Sequence, residues 1–129
     1  MDFYNLIEDI EKIIIALKEE NINIPIIVEG EKDVEALRKF GINGIIITIN
    51  SGISIIDFCD KIARKYNDII ILTDWDRKGG FICHTIEKNL EGRVKYNLYY
   101  RELLATKTLT KTVEGLYSWF NSIKEKSKI

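Results

Sequence analysis

Two short, almost purely aliphatic runs constrain the fold of this chain more than any other feature of its sequence. They occupy residues 25–28 and 69–72, and apart from Pro25 they contain only isoleucine, valine and leucine. Runs of this length and composition are typical of strands buried on both faces of a parallel sheet. Parallel strands need long crossover connections, which helices usually supply. The two runs therefore predict an α/β fold.

Helix and strand patterns alternate along the chain. Residues 2–20 repeat apolar side chains every three or four positions, which indicates an amphipathic N-terminal helix, and Pro25 disfavours its continuation. The other expected elements are strands at 25–29, 44–48, 69–73 and 94–98, and helices at 31–40, 53–66, 79–90 and 112–125. This order predicts a three-layer α/β/α fold with a mainly parallel four-stranded sheet and right-handed crossovers.

Length and composition set broad limits. With 129 residues, the chain is expected to form a single domain spanning 1–129. Abundant isoleucine and a charged fraction of 30% lean towards the composition of thermophilic proteins. Two cysteines without metal or redox spacing, and no secretory leader, suggest a cytoplasmic protein. No apolar stretch approaches the length of a membrane span, so no membrane partner is expected.

Charge is distributed unevenly although the formal net charge is only −1. Residues 93–129 contain eight bases and three acids, a net of +5. A basic segment of this kind is compatible with a phosphate backbone as partner. A solvated helix end explains it equally well.

Acidic residues follow both aliphatic runs. Glu29 comes directly after the first run, and Asp74 and Asp76 follow the second. Ligands of open α/β sheets bind at the carboxyl ends of the strands, so these three side chains are expected at one rim. That arrangement requires the first and third strands to be neighbours, which suggests the strand order 2-1-3-4. Carboxylates at close range repel one another, and Mg²⁺ is the usual compensating ion where a substrate carries phosphate. The other explanation is that these acids are strand-end caps and solvated turn residues.

Two motifs resemble those of the Toprim domain. They are residues 28–33, VEGEKD in one-letter code, and residues 73–79, TDWDRKG. Toprim domains occur in bacterial-type primases, type IA and type II topoisomerases, old-family nucleases and small ribonucleases that mature ribosomal RNA. The similarity covers a core of residues 25–100. In size the chain is similar to small free-standing Toprim proteins, which are mostly archaeal and bacterial.

The resemblance implies roles for individual residues. Glu29 matches the glutamate proposed as general acid/base, and Asp74 and Asp76 match the pair that holds Mg²⁺, with Mn²⁺ as a substitute. Asp33 matches the second acidic position of the first motif, although a first-turn acid favoured by the helix dipole would look the same. Lys78 stands where topoisomerases have a third acid, which argues against a topoisomerase-like site.

Other residues at this rim are candidates for binding substrate phosphate. Arg77 and Gly79 match the primase-like form Asp-x-Asp-Arg-x-Gly. Gly79 is expected at a helix start, where free amides favour an anion. Surface ion pairs and ordinary turn chemistry are the competing explanations for several of these positions. The candidates are Lys32, Asp33, Asn50, Ser51, Arg77, Lys78 and Gly79.

Together these features predict Mg²⁺-dependent phosphotransfer on RNA or DNA, by a nuclease or an accessory of nucleic-acid processing. The alternative is a catalytically idle module that binds a nucleic acid or a protein when metal is present. Near-neutral charge and small size motivate that alternative. A receiver-type signalling domain would need an acidic pair after its first strand, whereas here Glu29 is followed by Gly30.

Several other side chains have two explanations. Trp75 could stack on a base, or pack against a helix or a second subunit. Tyr96 and residues 99–101 interleave aromatic rings with charge, as nucleic-acid surfaces do, but alternation along a strand is the favoured explanation. His84 could be a ligand, but a place in helix packing or on the surface is the favoured explanation. Trp119 falls outside the inward stripe of its helix and could face a partner chain.

Overall fold

The computed structural model describes residues 2–49 and 52–128. The strands are β1 Ile26–Val28, β2 Ile46–Thr48, β3 Asp68–Ile71 and β4 Lys95–Asn97. The helices are α1 Phe3–Glu20, α2 Glu31–Lys39, α3 Ile55–Lys65, α4 Arg77–Leu90, α5 Tyr99–Lys107 and α6 Val113–Ser127.

The four strands form one parallel sheet in the order β2-β1-β3-β4. The predicted fold class and strand order are therefore confirmed. All of β1 and all of β3 except Asp68 are buried, which is what central strands covered on both faces require. β2 and β4 form the edges and remain partly exposed.

Helices cover both faces of the sheet and create two apolar cores. Ile26 and Val28 contribute to a core shared with α1, α2, α5 and α6, whereas Ile27 contributes to a core shared with α3 and α4. Because neighbouring residues of a strand point to opposite faces, a run of consecutive aliphatic residues is needed to fill both cores. This gives the three layers expected from the alternation of helices and strands.

Helix α5 is the element that the sequence did not predict. Tyr96 lies in β4 as expected, but the strand interpretation of residues 99–101 was wrong, because they begin α5. Tyr100 and Leu104, four residues apart on one face of this helix, are buried against the α1 side of the core. The Tyr100 hydroxyl also donates a hydrogen bond to Glu20. Over so short a stretch, helix and strand periodicities are hard to distinguish.

The structure also shows the surroundings of His84 and Trp119, for which the sequence allowed more than one explanation. His84 is exposed on α4, as one of its two explanations required. Trp119 is partly buried and packs against the core that contains α6. Within residues 2–49 and 52–128, no helix is long and apolar enough to cross a membrane.

Candidate functional site

The carboxyl ends of β1 and β3 meet, as the acidic rim requires. β1 pairs with β3 in parallel, and the amide of Leu72 donates to the carbonyl oxygen of Ile27 at 2.8 Å. Directly beyond this pair, the backbone N–H of Asp74 donates to Oε2 of Glu29 at 2.8 Å. Two residues separated by 45 positions in the sequence are thus in direct contact.

Asp74 is the most electrostatically perturbed acid of the rim. The pKa of its carboxyl group is raised to about 7, chiefly by burial and in addition by the nearby carboxylates of Glu29, Asp33 and Asp76. A hydrogen bond from the backbone N–H of Val113 to Oδ1, at 2.8 Å, acts in the opposite direction. The surroundings of Asp74 therefore destabilise its ionised form, which is common at functional sites.

The other two aspartates cap helices. Asp33 is buried, and its Oδ2 accepts the N–H of Gly30 at 3.0 Å near the start of α2. Burial raises the pKa of Asp33 despite this hydrogen bond. Asp76 is the N-cap of α4, and its Oδ1 accepts the N–H of Gly79 at 2.7 Å. This cap explains why α4 begins at Arg77, two residues earlier than expected.

A cleft of about 680 Å³ opens beside these acids. Its described lining includes most of the predicted site together with apolar residues of the neighbouring loops and α4. Among residues 2–49 and 52–128, the predicted site residues Asp76, Arg77 and Gly79 are outside that lining. Asn50 and Ser51 lie outside the described part of the chain. The lining consists of Glu29, Gly30, Glu31, Lys32, Asp33, Ile49, Gly52, Ile53, Asp74, Lys78, Ile82 and Glu114.

Gly79 allows the chain to turn tightly behind Asp74. A Cβ atom at position 79 would lie 1.9 Å from the carbonyl oxygen of Asp74, so no other residue fits there without a shift of the backbone. The hydroxyl of Thr73 donates to the carbonyl oxygen of Gly79 at 2.9 Å and fixes the same turn. The amides of Gly79 and Gly80 both donate to Asp76, so in this structure neither is free for a phosphate.

The family of the chain follows from comparison with known proteins. The model of the Toprim domain matches residues 24–106, which is more than half of the chain and includes both acidic motifs. This chain belongs to the Toprim family. Toprim domains typically bind a divalent metal ion and occur in proteins that act on nucleic acids, so membership indicates a metal-dependent function connected with nucleic acids.

Individual relatives agree with this assignment. A UPF0292 protein of Thermoplasma volcanium is 42% identical over 84% of this chain and 92% of that protein. A UPF0292 protein of Methanocaldococcus jannaschii is 35% identical over 92% of each chain. Among solved structures, a protein from Aquifex aeolicus matches with a TM-score of 0.70 and 28% identity, over 80% of this chain and 94% of that one. The two UPF0292 relatives are archaeal, consistent with a small free-standing Toprim protein.

The Toprim acids have the right chemistry for a hard cation, but they do not converge on one point. Carboxylate oxygens are the ligands that Mg²⁺ prefers. Among the described residues, however, no group of three or more acidic, histidine or cysteine side chains is arranged to hold a metal ion. The hydrogen bonds explain this, because one oxygen each of Asp33, Asp74 and Asp76 is directed at a backbone N–H. The residues expected to hold a cation, Asp74, Asp76 and Glu29, each keep one carboxylate oxygen that is not used in these hydrogen bonds.

Three contributors to this Toprim site were missed by sequence reasoning. Arg101 donates from Nη2 to the carbonyl oxygen of Asp74 at 2.7 Å and from Nε to Thr73 at 3.1 Å. Glu114 adds another acid to the cleft, and Val113 supplies the amide that holds Asp74. Backbone amides carry no side-chain signature, and Arg101 lies in the unpredicted helix α5. The helix that supplies the Val113 amide was itself expected, at 112–125, and Thr112 before it is a typical N-cap residue.

Trp75 does not serve as a free stacking platform in this structure. Its indole Nε1–H donates to the carbonyl oxygen of Thr110 at 2.7 Å, and its backbone N–H donates to Lys111 at 2.9 Å. The partly buried ring packs against the core on the α6 side. Of the two explanations for Trp75, packing is the one that the structure favours.

Asp74→Asn is expected to change the pH dependence of stability. The raised pKa of Asp74 means that the folded protein binds this proton more tightly than the unfolded chain does. The contribution of Asp74 to wild-type stability should therefore fall as pH rises from about 4 to about 7. Without metal at pH 8, the variant should be more stable by about 1 kcal/mol, allowing for the solvent that reaches the site.

Urea unfolding in EDTA at pH 5 and pH 8 measures this difference. Asp68→Asn is the matched control, because Asp68 begins the same strand at the opposite end of the sheet. An identical pH dependence in wild type and Asp74→Asn would contradict the electrostatic assignment.

Gly79→Ala is expected to destabilise the protein by about 3 kcal/mol, because the new methyl group collides with the backbone of Asp74. Gly80→Ala is the neighbouring control, since its Cβ would meet only Nη2 of Arg101, at 3.6 Å. Urea unfolding of the two variants checks the prediction, and equal stabilities would show that the turn relaxes without cost.

Proposed function

We propose that this Toprim protein catalyses Mg²⁺-dependent phosphotransfer on a nucleic acid, most simply the cleavage of a phosphodiester bond. The observation that supports the proposal is the 2.8 Å contact between Oε2 of Glu29 and the backbone of Asp74 at the edge of the cleft. This contact places Glu29, the proposed general acid/base, next to Asp74, a candidate metal ligand. Both functions are needed at one place for phosphoryl transfer.

The acids of the rim and the lysines of the cleft have separate tasks in this proposal. Glu29 moves a proton on or off an oxygen of the reacting phosphate. Asp74 and Asp76 would hold Mg²⁺, which would supply positive charge to neutralise the phosphate oxygens. Lys32 and Lys78 line the same cleft and attract the phosphate backbone. Both lysines can reach outward for a large substrate, because they are exposed.

Arg77 and Asp33 have less direct tasks. Arg77 is exposed in the first turn of α4 but lies outside the described lining of the cleft, so we assign it to phosphates further along the substrate. Asp33 is buried and holds the loop after β1 through the amide of Gly30. It therefore keeps Glu29 in position, and its negative charge adds to the pull on a cation.

The second candidate function is metal-dependent binding without turnover. It is favoured by a specific observation, namely that the acids are engaged as caps and do not form a ready metal cluster within the described residues. A module of this kind would dock a nucleic acid or a protein against the cleft. The two candidates differ only in whether a bound substrate is converted.

A cleavage assay separates the two. Labelled single- and double-stranded RNA and DNA are incubated with the full chain and Mg²⁺ or Mn²⁺. We expect cleavage that is lost in EDTA and reduced at least about 100-fold in Glu29→Gln and in Asp74→Asn, because each variant removes one of the two required groups.

Asp68→Asn serves again as the control and should cleave like wild type, because Asp68 lies at the far end of β3. Asp76→Asn is a further informative variant, since asparagine still caps α4 while the charge is removed. Metal-dependent binding without cleavage of any substrate would support the idle module. Cleavage by Asp74→Asn at the wild-type rate would exclude the catalytic proposal.

A further inference from the structure

Helix α6 contacts the acidic site although it lies beyond residues 24–106, the range matched by the Toprim model. Its first residue, Val113, donates its backbone N–H to Oδ1 of Asp74 at 2.8 Å. The amide of the next residue, Glu114, lies close enough to Asp33 to lower the pKa of that carboxyl group. The start of α6 thus faces two of the acids at once.

The segment before α6 is held in place by Trp75. The backbone and indole N–H groups of Trp75 donate to the carbonyl oxygens of Lys111 and Thr110. Thr112 is the N-cap of α6, and its hydroxyl accepts a hydrogen bond from the N–H of Gly115 at 3.0 Å. Asp74 and Trp75 are consecutive in the sequence. The segment that accepts the hydrogen bonds of Trp75 therefore also contains the amide that donates to Asp74.

We propose that the backbone amide of Val113 is a positioning group for the metal site, which orients the Asp74 carboxylate for a divalent cation. This inference rests on the proposed role of Asp74 as a metal ligand. The amide uses Oδ1, and among the described residues Oδ2 has no hydrogen-bond partner. Oδ2 is therefore available to a cation on the cleft side, where Asp74 is part of the lining.

Two physical effects support a gain in metal affinity from this contact. A hydrogen bond to a ligating side chain fixes its orientation, and the loss of such a partner typically weakens metal binding 10- to 100-fold. The N-terminus of a helix also carries partial positive charge, which reduces repulsion among the carboxylates before the cation binds. The first N–H of a helix has no partner within the helix, so its hydrogen bond to Asp74 breaks no hydrogen bond of α6.

Val113→Pro tests the proposal because it removes this N–H. Proline is favoured at the first position of a helix, and the extended conformation of Thr112, φ −130° and ψ 150°, suits a residue that precedes proline. Val113→Ala is the matched control, since it also trims the buried side chain but keeps the amide. By calorimetric titration of the full chain with Mn²⁺, we expect about 10- to 100-fold weaker binding in Val113→Pro and a change within about threefold in Val113→Ala.

The proposal would be overturned if Val113→Pro bound Mn²⁺ as tightly as Val113→Ala does, or more tightly. Tighter binding would show that the amide competes with the cation. If wild type itself binds no Mn²⁺, the proposed function fails. Crystal structures then still decide the inference, because an unchanged Asp74 carboxylate in Val113→Pro would refute the positioning role and a reoriented one would support it.

Trp75→Phe provides an independent variant should Val113→Pro fail to fold. It keeps an aromatic ring in the core but removes the indole hydrogen bond to Thr110. We expect faster hydrogen exchange at the Val113 amide together with a several-fold loss of Mn²⁺ affinity. Faster exchange with unchanged affinity would count against the proposal.

Discussion

The contact between the carboxylate of Glu29 and the backbone amide of Asp74 is the constraint on which the site depends. It joins the loops that leave β1 and β3, and it exists because these two strands are parallel neighbours at the centre of the sheet. Parallel pairing brings both carboxyl ends to the same edge, together with the acids that follow them. The raised pKa of Asp74 reflects burial first and the nearby carboxylates second.

Backbone amides offset part of this negative charge. Asp33 accepts the amide of Gly30, Asp74 that of Val113 and Asp76 that of Gly79. The structural and functional explanations of these acids are therefore compatible, because a carboxylate has a second oxygen after one has accepted a cap. The family binds metal, yet the described residues contain no ready cluster of metal ligands. The use of one oxygen of each aspartate as a cap is consistent with both facts. The site is stabilised by its amides while its remaining oxygens stay available for a cation.

The surroundings of the acids favour a phosphate-bearing partner over a small neutral ligand. Lys32 and Lys78 line the cleft beside the carboxylates, so that cationic and anionic groups share one opening. A divalent cation together with lysines can match the charge of a nucleic-acid backbone, which neither could do so well alone. Family membership points to the same class of partner. The exposed lysines suit an extended substrate that runs along the surface.

The amino-acid pattern was enough to predict the α/β class, the strand order, the positions of most elements and the neighbourhood of Glu29 with Asp74. Aliphatic runs specify buried strands through side-chain periodicity, and the acids after them follow the strand ends. The hydrogen bonds from Arg101 and Val113 to Asp74 became visible only in the folded chain, because both donors belong to elements distant from Asp74 in the sequence. Hydrogen bonds from backbone amides leave no trace in the identity of the donating residue. Helix α5 was not predicted for a related reason, since Tyr100 and Leu104 form a buried helix face only where the α1 side of the core packs against them.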